Sequence, residues 1–446
     1  MESGAREDYS PGRNEVLGTV VRGKTIQLQR WGQGAALAGM FLLVGACGLV
    51  PRGNDAVDQS WVIGQCLPHE PKFAPGANPV GSEDMTMDAK GVAYISSTDY
   101  RVPLNTEPRR AGAIYRYDVA GDGPVSAMEI RSDSNRLPGY FETNFFPHGI
   151  SLLETGKQKR LFVINHRLRA LPRPADKDNL ANLLNLPAGE VRQSFVEIFR
   201  IEKSGETEIL IHEATIEDKD ALAAGPEPRG GRGLELNDLV AVGPRQFLAT
   251  NNPGGFTQSA EVAFLRNPIG NIVYFDGSRY RVVQDRVHFG NGINASADNK
   301  TVYLATVLDG EVVTYRTNLN PPDETQPETV ALEEAGARLR LGGHLDNIEW
   351  VDQSRGEMLV ASHANLAALG LEAIQAPVQA PSRIVRFAVG GDGLPVADSA
   401  KLIYANDGAQ VSSASVANFF RDKDRERLLI GSVFGARFLV CKLEAH

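Results

Sequence analysis

Residues 301–316 read TVYLATVLDGEVVTYR, two short runs of β-branched and aromatic residues with Leu-Asp-Gly between them. Such residues suit a pleated, half-buried strand, and Asp and Gly suit the turn that joins two of them. The stretch is therefore a strand pair, TVYLAT (301–306) followed by EVVTYR (311–316). The same pair recurs outward in both directions. Its first members are GVAYIS (91–96), RLFVIN (160–165), QFLATN (246–251), EMLVAS (357–362) and RLLIGS (427–432). Its second members are IYRYDV (114–119), VEIFRI (196–201), NIVYFD (271–276), RIVRFA (383–388) and RFLVCK (437–442). One pair cannot bury both of its faces, so the pairs must stack. The repetition predicts an all-β fold, a six-bladed β-propeller over residues 60–446. A β-sandwich leaves the repetition unexplained, and a TIM barrel needs helices between the strands. The connections 167–235 and 321–340 read as surface loop, with a short helix over 179–186.

The chain carries 46 Lys and Arg against 55 Asp and Glu, a net charge of −9, which argues against nucleic acid as a partner. Its N-terminus has another character. No residue from Trp31 to Pro51 is charged, AALAGMFLLVGACGLV (35–50) is continuously small or apolar, and Arg22, Lys24 and Arg30 precede it. That is the layout of an export signal or signal anchor with its basic side in the cytoplasm. VGAC around Cys47 resembles a bacterial lipobox, while the long region ahead of it favours an uncleaved anchor. Residues 1–50 are read as a targeting segment. It tethers the chain to a membrane through residues 31–51 and leaves the propeller on the extracytoplasmic side. Two cysteines remain, Cys66 and Cys441. In an exported protein they could form a disulfide; two separate buried thiols fit the sequence equally well.

Polar residues recur just upstream of the first strands. GSEDM (81–85) brings Glu83 and Asp84, FPHG (146–149) brings His148, and LND (236–238) brings Asn237 and Asp238. NGIN (291–294) brings Asn291, and LDN (345–347) brings Asp346 and Asn347. Five of six repeats thus carry a polar group at nearly one phase, which in a propeller means one end of the central channel. Glu83, Asn237, Asn291, Asp346 and Asn347 offer oxygen only, a donor set that suits Ca²⁺ ahead of Mg²⁺ or Mn²⁺. Adjacent residues on a strand face opposite ways, so Asp84 and Asp238 can serve a second ion. A channel Ca²⁺ can polarise an ester carbonyl. His148 is the first candidate for general base, His166 could orient it, and His363 is a weaker candidate for the pocket wall. No G-x-S-x-G elbow is present, which argues against a serine esterase.

In order, GSEDM, FPHGIS, LFVINH, LNDLVAVGP, FGNGIN, LDNI and LLIGSVF resemble the motifs of the serum paraoxonase/arylesterase family over about residues 66–443. The resemblance implies a six-bladed propeller with two calcium ions in its channel, one catalytic and one structural. It implies Glu83, Asn237, Asn291, Asp346 and Asn347 as ligands of the catalytic ion. Asp84, Asp238 and the Ile150 carbonyl then match the structural site, and His148 and His166 the pair that activates water. Cys66 and Cys441 lie near the family's disulfide positions. The sequence departs at Asn251-Asn252-Pro253, where the family tends to read Asn-Asp-His, and in the longer 167–235 connection. The resulting expectation is a calcium-dependent lactonase/arylesterase acting on a small-molecule lactone or ester. A gluconolactonase-type hydrolase with one metal, or a calcium-stabilised binding propeller without turnover, are the alternatives.

Overall fold

The computed structural model describes residues 63–69, 81–101, 110–132, 139–170, 190–218, 234–252, 268, 270–319, 330–373, 378–422 and 425–443. The expected targeting segment, Cys47 and the 179–186 helix lie outside these residues.

Six sheets form six blades, antiparallel except that Ile130–Ser132 pairs parallel to Thr207–Ile216 at the outer edge of the second. In chain order their innermost strands are Met85–Met87, Pro147–Thr155, Leu236–Gly243, Gly290–Ala295, His344–Asp352 and Ala414–Asp422. Each innermost strand touches the next in that order, and the last touches the first, so the blades close a ring around a channel. The first five blades run outward in chain order from these strands, except that the second takes its outermost strand, Ile130–Ser132, from the segment before its innermost one. The sixth is completed from the other end of the chain. Its outer strand, Ile63–His69, pairs with the final strand, Phe438–Leu443, with Cys66 opposite Cys441. A disulfide joins these two cysteines across 375 residues of sequence. Of the two readings of the cysteines, the structure has the bonded pair. The chain-entropy model assigns a loop of that length about 5–6 kcal/mol.

Alternation along each strand builds the core between blades. In the second blade, Phe162 and Ile164 pack with Leu239, Phe247 and Val273 of the third. Leu161 and Val163, on the opposite face, pack with Tyr94 and Ile114 of the first. Strands buried on both faces carry near-continuous apolar runs, which is why the pairs stand out in the sequence.

The pairs are the middle of each blade, not its whole. Innermost strands such as GNGINA are broken by Gly and Asn, and outermost strands such as YRVVQDRV (Tyr280–Val287) are half solvated. Neither presents a clean strand pattern. The connections are also more structured than their composition predicts. Thr207–Ile216 is the fourth strand of the second blade, and Leu332–Glu334 and Leu339–Arg340 pair with the third strand of the fourth blade. A helix, Leu366–Ala373, follows the second strand of the fifth blade.

Candidate metal centre and active site

Four of the five recurrent motifs fall at one structural position. In five innermost strands the ladder to the neighbouring strand skips, and in four of them the skip spans a motif. It lies between Pro147 and Ile150, Leu236 and Leu239, Gly290 and Ile293, Leu345 and Ile348, and Ala414 and Ala417. Such irregularities free residues from pairing and re-aim their side chains. His148, Asn237-Asp238, Asn291 and Asp346-Asn347 occupy them, while Glu83-Asp84 immediately precede the first innermost strand. The doublets are therefore not two faces of a regular strand, as alternation would have it. Two motif glycines are fixed by crowding. A Cβ on Gly149 would stand 2.6 Å from the Asn237 carbonyl oxygen, and one on Gly292 would stand 2.6 Å from Asn347 Cα. The inner strands approach too closely there for any side chain.

Glu83 is buried and held from three blades. Its carbonyl oxygen accepts from Ser415 Oγ at 2.6 Å and from Asn347 Nδ2 at 3.1 Å. Its Oε1 accepts from Asn347 Nδ2 at 3.1 Å and stands 3.4 Å from His148 Nε2. Asp84 Oδ2 accepts the Ile150 N–H at 2.7 Å, and Asp238 Oδ2 accepts the Ile293 N–H at 2.7 Å. These two carboxylates tie the first blade to the second and the third to the fourth. Asp346 Oδ2 meets His363 Nε2 at 2.7 Å, so His363 contacts a site carboxylate rather than only lining a wall.

Among the described residues, the buried side-chain oxygens without a hydrogen-bond partner include Glu83 Oε2, Asn237 Oδ1, Asn291 Oδ1 and Asn347 Oδ1. Native interiors leave few such atoms, and each asks for a missing partner. These four belong to the set expected to hold a cation, whereas others, such as Tyr280 Oη and Thr314 Oγ1, do not. Among the described residues no three His, Cys, Asp or Glu side chains gather as a metal site. The donors here are largely carboxamides, and a hard, oxygen-seeking divalent ion fits them.

The carboxylates give the same indication. Burial holds Asp84 and Asp238 well above the usual carboxylate range; Glu83 adds to both, and Asp84 adds to Asp238. Glu349 is raised too, by burial and then by Asp238, and Asn294 Nδ2 donates to it at 3.3 Å. Sequence reasoning missed Glu349. It follows the pairing skip that holds Asn347, so alternation counted from that motif does not reveal it. Carboxyls raised on folding bind more protons in the native state, so stability falls as pH climbs through their folded values. Burial holds His69 and His344 below their usual range, which acts in the opposite direction below about pH 6.5. In chelator, the melting temperature should fall as pH rises above about 6.5, where the two histidines no longer act, and excess calcium should flatten that fall. A flat profile in chelator would contradict it.

On the second blade, His148 Nδ1 lies 2.8 Å from His166 Nε2, and His166 Nδ1 lies 3.1 Å from Ser194 Oγ. Both rings are buried. The Tyr100 ring packs 4.7 Å from the His148 ring, and its hydroxyl donates to the Pro147 carbonyl. Tyr100 also belongs to an apolar cluster with Phe434, Val433, Leu369 and Ala373, which sets an aromatic and aliphatic wall beside the His pair. Neither Tyr100 nor Ser194 was legible in the sequence, since each meets the site through cross-strand or cross-blade contacts.

Residues 169–443, more than half of the chain, match the family model described as Arylesterase. Serum paraoxonase/arylesterase 2 of Bos taurus is 29% identical over 369 residues, covering 81% of this chain and 86% of that protein. Human serum paraoxonase/arylesterase 1 is 28% identical over 368 residues, and human serum paraoxonase/lactonase 3 is 28% identical over 371, with the same coverage.

Proposed function

The chain belongs to the arylesterase family, and on that premise we propose that it is a calcium-dependent hydrolase of small-molecule lactones and aryl esters. The observation that carries this reading is the set of unpartnered buried oxygens beside a hydrogen-bonded His pair. Glu83, Asn237, Asn291, Asp346 and Asn347 would hold the catalytic ion. Asp84, Asp238 and the Ile150 carbonyl would hold a structural one; the Ile150 N–H on Asp84 keeps that residue beside it. A bound calcium ion supplies Lewis acidity toward the substrate carbonyl.

The chain's own groups do the rest. His148 Nε2 takes a proton from the attacking water as the water oxygen bonds to the acyl carbon. His166 Nε2 accepts the Nδ1–H of His148 and keeps the ring aimed into the channel. When the acyl–oxygen bond breaks, His148 returns the proton to the leaving oxygen. Tyr100 and the apolar cluster around it exclude water from one side and offer an aryl or acyl group a dry wall.

Assaying purified protein on lactones of several ring sizes, on aryl esters and on gluconolactone tests the assignment. Turnover of lactones or aryl esters that stops in chelator is the expected result. Calcium binding without turnover of any of them would make the protein a binding propeller.

The disulfide and the basic-then-apolar N-terminus support an extracytoplasmic, membrane-tethered location. A chain starting near residue 55 should stay active and soluble without detergent, while the full chain partitions into membranes. A full chain that is soluble without detergent would count against the tether.

A further inference from the structure

The His pair does not end at His166. Ser194 stands directly across from it, on the third strand of the second blade (Glu190–Ser204), as its paired residue in the ladder. The register of two long strands therefore fixes the separation between them. Ser194 is 2% exposed, so solvent does not compete for its hydroxyl. Its Oγ has two neighbours: it accepts the Leu236 N–H at 2.8 Å, and it faces His166 Nδ1 at 3.1 Å.

Two proton arrangements fit the row Ser194–His166–His148. If Ser194 donates to His166 Nδ1, then His166 carries its proton on Nε2 and gives it to His148 Nδ1. His148 must then be protonated on Nε2, and no base faces Glu83 and the unpartnered oxygens. If Ser194 accepts, its Oγ takes N–H groups from both Leu236 and His166, at the cost of leaving its own hydroxyl proton without an acceptor. His166 Nε2 then accepts the Nδ1–H of His148, and His148 Nε2 is bare on the channel side. Only the second arrangement leaves a base where the proposed reaction needs one. It also needs no rearrangement once His148 has taken a proton, since His166 already donates to Ser194.

We propose that Ser194 is the positioning residue of the His pair, its hydroxyl accepting from His166 Nδ1 and thereby fixing the tautomer and tilt that bare His148 Nε2 to the channel. This rests on the reading of His148 as general base. It differs from the plain alternative that Ser194 only satisfies the Leu236 amide, one residue ahead of Asn237. That alternative acts on the metal ligands; the proposal acts on the imidazoles.

A double-mutant cycle on the full chain, run at saturating calcium, separates them. Ser194→Ala should lower kcat by about 10–100-fold, as expected for a misaligned catalytic group. KM and calcium affinity should change little, and Ser194→Thr, which keeps a hydroxyl, should recover most of the loss. In a His166→Gln background, Ser194→Ala should cost nothing further, because two residues acting through one group are not additive. The same factor lost again in that background, or a Ser194→Ala protein with full kcat, would overturn the proposal. Full kcat in His166→Gln alone would overturn the His-pair reading and the Ser194 role together. A spectroscopic readout needs no variant. In ¹⁵N-histidine spectra of the wild-type chain, neutral His166 should carry its proton on Nδ1; a proton on Nε2 would overturn the assignment.

Discussion

Glu83→Gln should lower calcium affinity and hydrolysis together. Glu83 is buried, its Oε1 lies between Asn347 Nδ2 and His148 Nε2, and its Oε2 has no partner in the protein. The substitution keeps the shape and removes one negative charge from a hard-cation site. Outer-shell partners of metal ligands typically cost 10–100-fold in affinity or activity, and a charged direct ligand should cost at least about 100-fold. Added calcium should restore part of the activity, because the defect is in occupancy first. The backbone contacts of Glu83 to Ser415 and Asn347 survive the change, so the propeller should still form. Calorimetric calcium titration beside a rate assay checks it. Unchanged affinity with lost activity would move Glu83 from ligand to base.

His148→Gln should behave in the opposite way. The ring contacts Glu83, His166 and Tyr100, yet His148 is not in the oxygen set. Calcium affinity and melting temperature should therefore stay near the wild-type values. A general base typically supplies about 10²–10⁴-fold in rate, and kcat should fall within that span on both a lactone and an aryl ester. A variant with full kcat on both would leave the ring as part of the wall. The base would then be sought among Glu83 and Asp346, and the His363–Asp346 contact would gain weight.

The two variants separate because fold and site were legible to different depths. The propeller could be read from strands such as RLFVIN, since a middle strand packed on both faces must be apolar throughout. The phase of the motifs could be read because the same irregularity recurs at the same height in successive inner strands. The reason for that phase could not: pairing skips such as Leu236/Leu239 are properties of register. They overturn the simple alternation argument for Asn237 and Asp238. Ser415 escaped notice because the sixth repeat offers Ser and Val where the others offer carboxylate, carboxamide or imidazole. It nevertheless donates to the Glu83 carbonyl and completes the ring. The cysteine pairing stayed open in the sequence because nothing there shows the first and last strands to be neighbours. The 321–340 connection read as loop because edge strands such as Leu332–Glu334 carry Glu and little apolar surface.

The most direct test of the account is the hydrolysis rate of metal-stripped protein as free calcium is restored, followed beside calcium binding in one titration. The account predicts no turnover in the stripped protein. Activity should rise with filling of a site that Glu83→Gln weakens, and a second bound ion should change the melting temperature more than the rate. Full hydrolysis by protein shown to hold no calcium would contradict it.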